Sequence, residues 1–227
     1  MVKSNMNRVL KSCLTVLAGL MLAGPMVAGC GSPKTQKRVV IPQEKETLNA
    51  GFAKLETVLK EKVLFIHSKL GEPAGEKDIA ELREGLGGVE VQCLELWYKW
   101  HNGSADNLTD ILPLGKMLSI SESLEDRELI QKVPFVDPKR KRAIKILEDP
   151  AGDGFFLDIS GSSPRVFHHM LEDPFPRDYG TLEDFVGFIA EVHSSGVASM
   201  TENGIVDFDL EKYGKIESDY LSKLTSP

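Results

Sequence analysis

Leu48, Phe52, Leu55, Leu59, Ile66 and Leu70 recur at intervals of three, four or seven residues, the period that lines one side of an α-helix. Gly71 and Pro73 close that run. Ile79, Leu82 and Leu86 mark a shorter second helix that stops at Gly87-Gly88. From Val89 to His101 the chain is apolar around most of a helical circumference. Gln92, Glu95 and Lys99 share its one polar stripe, while Cys93, Leu94, Leu96, Trp97, Tyr98 and Trp100 fill the rest. Such a pattern predicts a helix lying deep in the domain, halted by Asn102-Gly103.

Beyond that turn the period changes. Ile111 to Ser119 is short and apolar, and Pro113 confines it to an edge strand or a loop. Ser119 with Glu122 has the spacing of a helix-starting cap, which predicts a surface helix from Ser121 to Gln131. Three β-like runs follow, Arg142 to Glu148, Gly154 to Ile159 and Arg165 to Met170. They are separated by the turn-rich stretches Asp149-Pro150-Ala151-Gly152-Asp153 and Gly161-Ser162-Ser163-Pro164. Thr181 with Asp184 repeats the cap spacing ahead of the stripe Leu182, Phe185, Val186, Ile189 and Val192, a helix ending near Gly196. A last helix is expected from Leu210 to Leu224. Helices, then an antiparallel β meander, then helices make an α+β domain, and no repeat of solenoid length is present.

The amino terminus follows different rules. Lys3, Arg8 and Lys11 precede an apolar run from Cys13 through Leu22, too short to span a bilayer comfortably, and Val27-Ala28-Gly29 leads into Cys30. This layout resembles a bacterial lipoprotein signal. The resemblance implies cleavage after Gly29, a diacylglycerol thioether on Cys30, and acylation of the new amino group. Two or three acyl chains make a lasting anchor where one holds only marginally. Gly31 follows the cysteine, which implies the outer membrane in a host that has one. Residues 1–29 are thus expected to be the signal peptide and 30–45 a flexible tether, with 46–227 one domain at the cell envelope.

Charge and cysteine content narrow the functional classes. Losing Lys3, Arg8 and Lys11 with the signal reduces 27 basic side chains to 24 against 34 acidic ones, a formal charge of −10. That balance disfavours nucleic acid and suits a basic protein partner. Cys13 leaves with the signal and Cys30 carries lipid, so Cys93 alone remains and no internal disulfide is expected. Stability must come from the packed core.

The candidate chemistry is sparse. His168 and His169 are neighbours in a β-like run, so their side chains point to opposite faces and cannot easily share a metal. His101 ends an apolar helix, where a structural histidine outweighs a catalytic one. No nucleophile elbow, phosphate-cradling loop or paired-cysteine motif occurs, and neither a metal nor a cofactor is expected. Asp149, Asp153 and Asp158 flank a turn but miss the EF-hand spacing, which favours aspartates bonding their own backbone. Lys139-Arg140-Lys141-Arg142 reads as a solvated approach to a strand. Asp149, Asp153, Glu172 and Asp173 lie on loops beside the meander and are the candidate partner-binding residues.

Four stretches in order carry a second likeness: Leu96-Trp97-Tyr98-Lys99-Trp100-His101-Asn102-Gly103, Leu112-Pro113-Leu114-Gly115, Gly152-Asp153-Gly154-Phe155-Phe156-Leu157-Asp158, and Tyr179-Gly180-Thr181-Leu182-Glu183-Asp184-Phe185 continuing to Ile189. Together they resemble the SUKH superfamily in its cell-wall assembly regulator branch. The family's usual proline before the aromatic helix is replaced here by Gly87-Gly88-Val89. The resemblance implies a non-enzymatic module that binds a protein partner, a toxin if the role is immunity. A structural or regulatory lipoprotein binding cell-wall polymer is one alternative, with Trp97 and Trp100 as sugar platforms. A hydrolase pairing His101 with a carboxylate is the other.

Overall fold

The computed structural model describes residues 42–105, 110–113, 115–133, 137–149, 151–170, 175–203 and 205–225. Cys30 and the signal, the Glu172-Asp173 pair, Pro150 and Leu114 lie outside the described residues. In chain order the elements are α1 (Pro42–Lys62), α2 (Leu64–His67), α3 (Glu76–Gly85), α4 (Gln92–Trp100), β1 (Asp110–Leu112), β2 (Gly115–Met117), α5 (Ile120–Lys132), α6 (Pro138–Lys141), β3 (Ala143–Glu148), β4 (Gly154–Asp158), β5 (Arg165–His169), β6 (Arg177–Thr181), α7 (Leu182–Ser194), β7 (Ala198–Met200), β8 (Val206–Phe208) and α8 (Leu210–Thr225). The strands β1 to β6 form one antiparallel sheet in sequence order, and β7 pairs with β8 in a separate hairpin. This is the α+β meander that the hydrophobic pattern implies.

α1 begins at Pro42, inside the stretch assigned to the tether. Proline fits the first turn of a helix because its missing N–H would be unbonded there in any case. The long first helix of the sequence reading is divided, since α1 stops at Lys62 and the four-residue α2 resumes after Val63. α4 is shorter than its apolar run, and Glu95 in its polar stripe is buried, where Arg83 of α3 holds both carboxylate oxygens at 2.7 Å. Both expected caps form: Ser119 and Thr181 accept from the third helical N–H while Glu122 and Asp184 reach back to the cap N–H. The short elements α6, β6, β7 and β8 were not evident from the pattern.

α7 packs on one face of the sheet with α1 and α4 in the same core, where Trp97, Phe155, Tyr179, Phe185 and Phe188 form a continuous aromatic group. A bulge between Lys145 and Leu147 in β3 lets Ile146 and Leu147 both enter this core, while Ala143 and Lys145 are buried on the opposite face. Two glycines fix the joints. A Cβ on Gly154 would lie 2.1 Å from the Leu147 carbonyl oxygen, so the β3–β4 turn closes only without a side chain. Gly103, at φ +84°, lets the end of α4 lie against Ser119 at the start of α5. There Asn102 Oδ1 accepts from the Ile120 N–H at 2.9 Å and joins the end of α4 to the start of α5.

Candidate functional site

The acidic turn between β3 and β4 is organised by Asp149. Its Oδ1 accepts the N–H of Ala151 at 2.8 Å and of Asp153 at 2.9 Å, and its N–H donates to the Asp153 carbonyl at 3.1 Å. Asp158 does the same for Ser160 after β4. These aspartates bond their own turns, as the composition of the loop implies. Across the sheet edge from Asp149, Asp110 is half-buried. Burial, followed by the neighbouring Asp149 charge, raises its carboxyl to about 6 against the pull of Lys116. The turn therefore presents acidic groups on a backbone fixed by hydrogen bonds.

The histidines divide by environment. His168 stacks on Phe155 on the main core face, with ring centroids 4.4 Å apart, while His169 lies edge-on to Phe156 on the other face. The adjacent pair is thus split across the sheet, as strand alternation requires. His193 of α7 is fully buried and shares its Nε2 with the Ile111 carbonyl oxygen at 2.7 Å, leaving Nδ1 without a hydrogen-bond partner among the described residues. Burial lowers its pKa to about 4, so the ring is neutral at physiological pH.

His101 has a different setting. The backbone around it is lashed to the segment after α2: Gly71 N–H donates to the Gly103 carbonyl at 2.7 Å, Asn102 N–H to Glu72 at 3.0 Å, and Leu70 pairs with Ser104. This lashing brings His67 and His101 together, their ring centroids 5.8 Å apart and perpendicular. Glu56, on the face of α1 beneath them, completes the group. His67 Nε2 is 2.8 Å from Glu56 Oε1 and His101 Nε2 is 3.2 Å from Oε2. Trp100 Nε1 donates to Oε2 at 2.9 Å and Lys60 Nζ lies 2.9 Å from Oε1. Burial raises the Glu56 pKa, but the polar neighbours Lys60, His67, Trp100 and His101 outweigh it and bring the carboxyl down to about 2.

The sequence reading singled out His101 and passed over Glu56 and His67. No local spacing could have joined them, because the carboxylate and the second imidazole are 45 residues apart. The one available signal was Glu56 standing among the apolar Leu55, Val58 and Leu59 of α1. Trp97 is buried in the core and Trp100 stacks on Phe52 at 5.3 Å, so neither ring is presented as an open platform. Cys93 packs partly buried against the core. Lys139 and Arg140, expected in solvent, lie over the rings of Phe167 and Phe156 at 4.4 and 5.0 Å. Compared with known proteins, the chain matches no family model and no curated protein.

Proposed function

We propose that the chain is a non-enzymatic, lipid-anchored module of the SUKH type that holds a protein partner at the cell envelope, with toxin immunity as one form of that role. The observation that carries the reading is where the side chains of the four resembling stretches go. Trp97 and Tyr98 fill the core, Asn102 caps α5, Gly103 and Gly154 make joints, and Asp184 caps α7. The stretches encode a scaffold, and scaffolds of this kind work through the surface they display.

The surface proposed for contact is the acidic turn at Asp149 and Asp153, whose preset backbone reduces the ordering cost of binding. An acidic, rigid loop suits a basic partner by steering its approach and excluding other partners. The β7–β8 hairpin displays Met200 and Ile205 to solvent and offers apolar area as well.

Crosslinking followed by pull-down of the full chain from membranes tests the reading. A specific basic partner is expected, with capture lost when Asp149 and Asp153 are both changed to Lys. Capture that is unaffected by the double change would remove this surface, and efficient turnover of a substrate by the purified chain would overturn the non-enzymatic role. Radiolabelled palmitate should enter the wild-type chain and not Cys30→Ser; equal labelling of the two would overturn the anchor.

A further inference from the structure

We propose that Glu56, His67 and His101 form a binding site for a divalent first-row transition metal, with zinc as the ion of best fit. The three can each offer one ligand atom, and those atoms all lie within 4.8 Å of one another. Two imidazoles and a carboxylate are a recurrent zinc set, with a water completing the tetrahedron.

The hydrogen count at His101 leaves a place for a cation. Its Nδ1 is 2.6 Å from the Gly71 carbonyl oxygen, and a carbonyl only accepts, so that nitrogen carries a proton. In the neutral ring Nε2 is then bare, yet it faces the Glu56 carboxylate at 3.2 Å, lone pair against lone pair. A second ring proton or a bound metal resolves that opposition.

The surroundings match a metal's outer shell. A ligating histidine commonly donates its other N–H to a backbone carbonyl, and a ligating carboxylate commonly accepts a hydrogen bond from a neighbour. Gly71 takes the first role, and the Trp100 indole fills the second at 2.9 Å from Glu56 Oε2. The backbone lashing of residues 70–72 to 102–104 presets the His101 ring. Closure requires movement, since nitrogens on a tetrahedral zinc stand roughly 3.3 Å apart. His67, on the four-residue α2 with 18 % of its side chain exposed, makes that movement, and Lys60, 55 % exposed, swings its ammonium into solvent. The bound ion would clasp α1, α2 and the end of α4 without any chemical step.

The test titrates the tag-free full chain with zinc alone by calorimetry at about pH 7.5. One ion per chain is expected with Kd below about 10 µM, accompanied by a higher unfolding temperature. Cobalt should give the intense visible bands of a four- or five-coordinate ion. Glu56→Gln and His67→Ala should each weaken zinc by more than the roughly 10- to 100-fold that loss of an outer-shell partner costs. His169→Ala should leave binding unchanged. Zinc weaker than about 10 µM, a weak octahedral cobalt spectrum, or affinity that survives His67→Ala would overturn the site. The spectrum and stoichiometry of the unaltered chain decide the matter even if a variant fails to fold.

Discussion

The two faces of the six-stranded sheet are held by different forces. On the face toward α1, α4 and α7, Phe155, Leu157, Val166 and Tyr179 join a core made almost wholly of hydrocarbon and aromatic rings. On the opposite face Phe156 and Phe167 stack at 5.4 Å and share a small cluster with Ile130 and Ala143. Cations close that cluster: Lys139 and Arg140 cover the rings, and Lys145, only 2 % exposed, reaches Asp126 at 2.7 Å and Glu148 at 2.9 Å. Phe155 and Phe156 are adjacent in one strand and equally buried, yet one is packed against rings and the other beneath charged side chains. Burial alone therefore does not describe what a position contributes; the mobility and charge of its cover matter as much.

Truncating the two phenylalanines should expose this difference most strongly. Phe155→Ala is expected to cost about 5 kcal/mol in urea unfolding and Phe156→Ala about 3 kcal/mol, because flexible lysine and arginine stems can settle into the second cavity. Equal costs would break the contrast. Lys145→Met should cost about 3 kcal/mol, since it leaves Asp126 and Glu148 facing each other without their cation, whereas the size-matched Leu157→Met on the main face should cost about 1 kcal/mol.

Acid should weaken the main-face side through His193. The unfolded ring takes up a proton below its ordinary value near 6.5, while the folded ring resists until about 4. Stability is thus fully present above pH 6.5 and falls by about 3 kcal/mol as the pH drops to 4, a loss that His193→Leu should abolish in urea midpoints measured across that range. Asp110 works in the opposite direction. Its folded value of about 6 lies above the unfolded one of 3.8, so its ionisation costs stability as pH rises through that window. After allowance for solvent screening at this half-buried position, Asp110→Asn should add about 1 kcal/mol at pH 7 and nothing below about pH 4.

The elements legible in the sequence are those whose signal is local. α7 announces itself through Thr181, Asp184 and a long apolar stripe, and β3 to β5 through short apolar runs between dense turns. β6 was missed because Arg177-Asp178-Tyr179-Gly180 has no alternation to read; its pairing with β5 is joined by Tyr179 in the core and by the Arg165–Asp178 ion pair. β7 and β8 are three residues each, too short for periodicity to register. The division of the first helix at Val63 was hidden because Ile66 keeps the apolar phase across the break. At the histidine site only His101 could be singled out, since the partners that define its chemistry arrive through the pairing of two distant backbone segments.

α1 packs most extensively on α7, so the first helix among the described residues finds its main partner only after Ser194 has been synthesised. Each strand, by contrast, finds its neighbour as soon as the next one emerges. A growing polypeptide can thus assemble its ribbon early yet leave the hydrocarbon interior open until translation is nearly finished. Any variant that slows completion of α7 should therefore prolong the time for which the partly made core stays open.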